Sequence, residues 1–211
     1  MGKLFRIDSP FSQAMSELFD LIALNLMFLL TSVPIVTIGA GLSALHSVGL
    51  KQAMGEEPPI VKTYFLEFRN NFRQATLTWI PLLVLGMFLL YDYFLAANGG
   101  SGGKGMQFAF GCMLLLYLCE LHYVFPLTAR YRNTVWKNMK NALLISIRFF
   151  SRTLIMIALS VVPPVIAICG STELFVIWQV LMLVFGFSLT IVLQDRIVYK
   201  IFSGLEDLLP D

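Results

Sequence analysis

Charge is the scarcest resource in this sequence of 211 residues. Asp, Glu, Lys and Arg make up 13% of it, where a soluble domain carries about 25%. So few charges cannot cover a water-facing surface of this size, and a soluble globular domain is excluded. Cysteine is almost missing as well. The three cysteines, Cys112, Cys119 and Cys169, lie in apolar runs without CxxC spacing, which excludes a disulfide framework or a zinc site; they read as small hydrophobes in helices. The two histidines, His46 and His122, have no second ligand at helical spacing, so no metal is expected. A net charge of +2 without a basic stripe interleaved with aromatics argues against nucleic acid. The sequence holds no GxSxG, HExxH or Walker A pattern and no carboxylate pair within one span, so neither an enzyme nor a cofactor is expected. The glycine run Asn98–Gly105 resembles a phosphate loop only superficially, because no strand precedes it.

Apolar sequence is abundant: 57% of the chain is hydrophobic, with 18 Phe and 10 Met. Crossing about 30 Å of hydrocarbon takes about 20 mostly apolar residues in a helix. Segments 75–97, 106–128, 153–170 and 174–194 meet that requirement. Their length and lack of period-two alternation exclude strands. The expected fold is an all-α, polytopic transmembrane bundle with short cytoplasmic amphipathic helices.

The N-terminal region admits two readings. Residues 18–38 could cross once, but Pro34 interrupts them, and Gly39, Ser43 and Ser47 follow at i+4 spacing, which lets membrane helices approach closely. Cytoplasmic loops collect Lys and Arg. If 18–34 and 35–50 form a hairpin, there are six membrane segments, both termini are cytoplasmic, and every basic residue except Lys104 lies inside. With one span there are five, and the tail bearing Lys3 and Arg6 lies outside. Charge favours six. The start resembles a signal peptide, but Asp8, Glu17 and Asp20 interrupt it, so the first helix is expected to be retained.

Glu120 stands out because an ionisable group inside a span is a functional candidate by default. Tyr117 and Tyr123 flank it at i−3 and i+3 on one helix face. It serves either a polar path across the membrane or an ion pair with Arg73, Arg130 or Arg152. Asp92 sits between Tyr91 and Tyr93 at a span end, as an interfacial group would. Asn25, Gln107 and Gln179 read as interhelical glue, and Trp79, Trp136 and Trp178 as interfacial aromatics.

Nearly all non-membrane mass falls in the cytoplasmic connections 51–74 and 129–152. Asn71-Phe72-Arg73-Gln74-Ala75 and Asn138-Met139-Lys140-Asn141-Ala142 share a pattern at an offset of 67, each ahead of a membrane hairpin. The second connection places Val135, Met139, Ala142 and Leu143 near one helix face, which suits membrane lipid or a partner. Phe68, Phe72, Arg73, Trp136, Met139 and Lys140 are the docking candidates, because aromatic, Met and Arg side chains are enriched in interface cores.

Three stretches carry a resemblance: Asn25–Ala40, with its Ser-Val-Pro-Ile-Val-Thr-Ile-Gly-Ala run, Phe65–Ala75, and Asn138–Phe150. Together with length and span pattern, they resemble the YesL-type family of bacterial membrane proteins, whose molecular function is unknown. The resemblance implies a small helical protein of the bacterial cell membrane, encoded beside binding-protein-dependent carbohydrate importers and glycan-degrading enzymes. It implies an accessory role beside ABC importer membrane subunits, with no catalytic residues to carry over. The ATPase-docking loop of ABC permeases is not recognisable here. A stand-alone small-solute transporter using Glu120 is the alternative expectation.

Overall fold

The computed structural model describes residues 10–98 and 103–207; the basic tail with Lys3 and Arg6, and residues 99–102 of the glycine run, lie outside them. The apolar runs are helical throughout. In order come α1 (Pro10–Ser32), a 3-10 turn (Ile35–Thr37), α2 (Ile38–Ala53), α3 (Ile60–Ala97), α4 (Gly103–Arg130), α5 (Val135–Arg148), α6 (Phe150–Cys169), α7 (Thr172–Leu181), a π-helical turn (Met182–Gly186) and α8 (Phe187–Glu206). Five stretches are long and apolar enough to cross a membrane: Ala14–Ser32, Ile60–Ala97, Lys104–Arg130, Phe150–Cys169 and Thr172–Glu206. The chain is an all-α membrane bundle, as its composition implied.

Segment 75–97 is only the second half of α3. Ile60–Ala97 is one unbroken helix of 38 residues, about 57 Å at 1.5 Å per residue, so part of it extends beyond a 30 Å hydrocarbon layer. The connection 51–74 is therefore mostly helix. Its buried face carries Thr63 and Tyr64, while Lys62, Arg69 and Arg73 stay exposed. α2 runs antiparallel to this half: Gly39 faces Ala75 and Trp79 at one end, and Lys51 pairs with Glu67 at 2.9 Å at the other. A Cβ on Gly39 would collide with the Trp79 side chain and the Ala75 carbonyl. Ser43 and Ser47 are buried too, so the small-residue stripe does serve close packing.

The bundle has two cores. The larger joins Leu82, Tyr123, Phe125, Leu127, Ala142, Met156, Val198, Ile201 and Phe202. The smaller joins Leu24 and Phe28 of α1 to Ala44, Leu45 and Val48 of α2, Tyr64 of α3 and Ile191 of α8. Outward positions such as Val84, Met87, Phe108 and Ile168 are apolar and more than half exposed, the inverse of a soluble surface and the rule for a lipid-facing one. In α5 the buried stripe is Asn138, Ala142 and Ser146, not the apolar set expected from periodicity, while Leu144 and Ile147 point outward. The two repeat motifs use their matching residues alike. Ala75 and Ala142 are both fully buried, and the Asn71 and Asn138 side chains both carry a buried polar atom.

Candidate functional site

Three of the polar residues buried in this apolar bundle, His46, Gln194 and Asp195, lie in one region with the half-buried His122 and Ser160. His46 on α2 places Nδ1 2.7 Å from Asp195 Oδ1 on α8, and Asp195 is fully buried. The second carboxylate oxygen, Oδ2, is buried without a hydrogen-bond partner. It rests against Gly49, where a Cβ would overlap it. Gly49 is thus required by close approach. Because α2 supplies both His46 and Gly49, one turn of helix clamps the carboxylate from two sides.

A second polar chain lies alongside. His122 Nδ1 is 2.7 Å from the Leu118 carbonyl oxygen, so this nitrogen carries the proton of the neutral ring. His122 Nε2 then accepts from the Ser160 hydroxyl at 3.1 Å, and Ser160 Oγ accepts from Gln194 Nε2 at 2.7 Å. The Gln194 amide also reaches the Met156 carbonyl oxygen at 3.1 Å. Each donor meets an acceptor along this line, a cooperative arrangement that holds α4, α6 and α8 together.

Between the two groups lies a cavity of about 360 Å³, lined by His46, His122, Ser160 and Gln194 together with Trp79 and Trp178 and by apolar residues including Phe125, Pro163 and Phe187. Its volume is within the roughly 300–1,000 Å³ of ligand sites, and so is its composition, mostly apolar with a few convergent polar groups. Trp178 contributes an unused donor: its Nε1–H is buried and has no acceptor. A buried indole N–H normally finds one. Pro163 and Pro164 in the wall lie inside α6, where each removes a backbone donor and leaves a carbonyl of the preceding turn unbonded by the helix.

The π-helical turn shapes the cavity through Met182, and π-turns recur at functional sites. Asn25 satisfies it from α1. Its Nδ2 donates to the carbonyl oxygens of Met182 (3.0 Å) and Leu183 (2.8 Å), and its Oδ1 accepts from Ser188 N at 3.1 Å. The reading of Asn25 as interhelical glue holds. Gln179, by contrast, is exposed.

The residues singled out in the sequence are dispersed. Glu120 is half-buried on α4 but is not among the cavity residues. Among the described residues it forms no ion pair: Arg130 is taken by Glu206 at 2.8 Å. Tyr123 donates to or accepts from Thr153 Oγ1 at 3.0 Å and belongs to the core, and Tyr117 packs its hydroxyl over Gly86. Of the tryptophans, Trp79 and Trp178 line the cavity, and Trp136 is 76% exposed. Phe68 stacks between Tyr64 and Phe72, with ring centroids 6.4 and 5.6 Å away. Phe72, Arg73 and Lys140 are exposed, whereas Met139 packs on the main core and is not a free anchor. Sequence reasoning missed His46, His122, Ser160, Gln194 and Asp195. The available signal was their polarity inside otherwise apolar stretches; their pairing across 149 residues in the case of His46 and Asp195 left none.

The bundle defines a polytopic helical membrane protein with a mostly apolar cavity among its helices. Residues 21–93 match the family described as "Protein of unknown function, DUF624", which covers α2 and most of α1 and α3. The resemblance seen in the sequence is borne out: the chain is similar to YesL-type DUF624 proteins, and that segment carries the match. It is 29% identical over 140 residues to "Uncharacterized protein YteU" of Bacillus subtilis (strain 168), with 64% of this chain and 62% of that protein aligned. The chain thus spans less than two thirds of that relative's length. No solved structure matches it.

Proposed function

We propose that this membrane protein holds a small, neutral, polyhydroxyl solute of the sugar class in the cavity between Trp79 and Trp178. It does so as an accessory component of carbohydrate import rather than as an enzyme. One observation carries the reading: a buried, unpartnered indole donor on Trp178 in the same cavity wall as a second indole and two imidazoles. Flat aromatic faces suit the apolar face of a sugar ring, and the neutral donors and acceptors suit its hydroxyls. Association with carbohydrate importers is what the family resemblance implies. The positive-inside distribution of Lys and Arg supports a multi-pass protein of the bacterial cell membrane with both termini cytoplasmic. In purified protein, a panel of neutral mono- and disaccharides should include members that raise the unfolding temperature in a saturable way, since a ligand that binds only the folded state stabilises it. A panel without effect, at concentrations where His46→Leu protein is equally unresponsive, contradicts the reading.

A second reading rests on Phe72 and Trp136, which are 41% and 76% exposed on the helices richest in basic residues. They support docking on importer membrane subunits. Phe72→Ala with Trp136→Ala should abolish copurification of such subunits, identified by mass spectrometry after mild-detergent extraction, while the protein stays folded. Retained copurification sinks the docking reading. So does a loss reproduced merely by raising salt, which marks adsorption to anionic lipid.

A further inference from the structure

We propose that a second, polar cleft, between the first half of α3 and the α4–α5 connection, binds a phosphate monoester. The site is separate from the cavity between the tryptophans, and the inference does not rest on that cavity's ligand.

Helical periodicity builds one wall. Glu67, Asn70, Asn71 and Gln74 stand at i, i+3, i+4 and i+7, one stripe of α3, and face residues 128–134 across a space of about 630 Å³. Every lining residue except Ala129 has a polar side chain, unlike the mostly apolar cavity. The volume falls in the range of small-molecule sites, roughly 300–1,000 Å³, and leaves room beside a phosphate for the group that carries it. Gln74 Nε2 donates to the Asn133 carbonyl oxygen at 2.6 Å, which ties the two walls together.

The groups left unused by the walls decide the ligand. Most of the charge is neutralised internally. Glu67 pairs with Lys51 at 2.9 Å. Arg130 donates to both carboxylate oxygens of Glu206, at 3.1 and 2.8 Å, and the Tyr131 hydroxyl donates to the same carboxylate. Arg132 is exposed and belongs to none of the ion pairs among the described residues. The walls therefore present one uncompensated positive charge. Asn71 Nδ2 is buried without an acceptor, a condition that buried donors rarely keep. The matching residue of the repeated motif shows the ordinary arrangement: Asn138 Nδ2 donates to Thr128 Oγ1 at 3.2 Å. The Thr134 hydroxyl accepts from Lys137 N at 3.4 Å and keeps its own O–H to donate. Arg132, Asn71 and Thr134 are thus donors in want of acceptors, and an oxyanion brings acceptors and opposite charge together. A phosphate monoester offers three terminal oxygens at tetrahedral angles, one for each donor, where a carboxylate offers two in one plane. A soluble sugar phosphate and the head group of phosphatidic acid share this chemistry.

The test uses the purified full-length protein in a neutral detergent. Isothermal titration with glucose 6-phosphate probes the soluble ester, and native mass spectrometry with added phosphatidic acid probes the head group. At least one of them should bind saturably, and Arg132→Gln should weaken that binding by at least about tenfold. Asn71→Asp, which turns the buried amide donor into an acceptor, should do the same, and Arg132→Lys should keep part of the affinity. Trp178→Phe and Arg73→Gln should leave it unchanged, because Trp178 lines the other cavity and Arg73 is an exposed cation of α3 outside the cleft. Arg132 is exposed, so Arg132→Gln reports on binding even where Asn71→Asp lowers stability. Binding of glucose 6-phosphate alone assigns the cleft to a soluble ester, of phosphatidic acid alone to a lipid, and of both to the phosphate they share. Absence of saturable binding by either probe overturns the inference. So does binding that ignores Arg132→Gln, or that falls equally with Arg73→Gln, the mark of diffuse charge attraction.

Discussion

At the residue scale, stability rests on polar groups satisfied across long sequence distances. His46→Leu removes the hydrogen-bond partner of the fully buried Asp195, and leaving a buried polar group unsatisfied costs about 1–3 kcal/mol, more if it is charged. A clearly lowered unfolding temperature is expected, partly restored by adding Asp195→Leu, which removes the stranded carboxyl group. Asn25→Leu leaves two carbonyls and one N–H of the π-turn region without their partner, each worth about 1–3 kcal/mol when buried. Asn25→Ser, too short to bridge them, should be nearly as harmful, which chemical unfolding of the two variants will compare. Tyr131, just beyond α4, donates its hydroxyl to Glu206 at the end of α8. Burial first, then the Glu206 carboxylate, pushes its phenol up from 10.0 to about 12. A raised folded-state pKa means that the contribution is fully present below pH 10 and is lost as pH rises through 12. Tyr131→Phe should flatten the fall in unfolding temperature across that window. Asn25 was legible in the sequence as glue because a lone amide in a span has few other uses. His46 and His122 were not, since each stands alone in its own helix and only tertiary packing gives it neighbours.

At the scale of elements, the sequence located the apolar helices well and misjudged those that leave the apolar regime. Residues 60–74 carry Lys62, Glu67, Arg69 and Arg73, and against a membrane background that density reads as a connection. The same residues are strong helix formers, and the charges of Lys62, Arg69 and Arg73 lie on the outward side while Tyr64 faces α1 and α2. α3 therefore runs on without a break. In α5 the apolar face read from the sequence was Val135, Met139, Ala142 and Leu143, yet the buried residues are Asn138, Ala142 and Ser146, and Leu143 is exposed. Thr128 and Thr153 supply bonding partners there: Asn138 Nδ2 donates to Thr128 Oγ1 at 3.2 Å, and Thr153 Oγ1 donates to Ser146 O at 3.0 Å. Beside lipid, apolarity does not mark the inward face. The close packing of α2 on α3 gives a direct check. Gly39→Val should lower stability more than Gly105→Val, because Gly39 meets Trp79 and the Ala75 carbonyl while nothing stands within 4 Å of Gly105. Proteolysis rates of the two variants in detergent should rank accordingly.

At the scale of the whole molecule, membrane residence followed from the shortage of charge and the lengths of the apolar runs. The cavity did not, because its walls come from α2, α3, α4, α6, α7, α8 and the π-turn together. Its chemistry is most directly tested on Trp178. Trp178→Phe keeps an aromatic wall but removes the unpartnered donor, and one hydrogen bond contributes about 0.5–1.5 kcal/mol, or about two- to tenfold in affinity. The measurement is a fluorescence titration of the purified protein with the saccharide that stabilises it best, read on Trp79 and Trp136 in the Trp178→Phe background and on all three indoles in the parent. A saturable response in both proteins, with affinity lowered by that factor in Trp178→Phe and unchanged in Trp136→Phe, is the predicted result. Saturable binding that is indifferent to Trp178 yet weakened by Trp136→Phe would contradict a cavity site and place the ligand on α5.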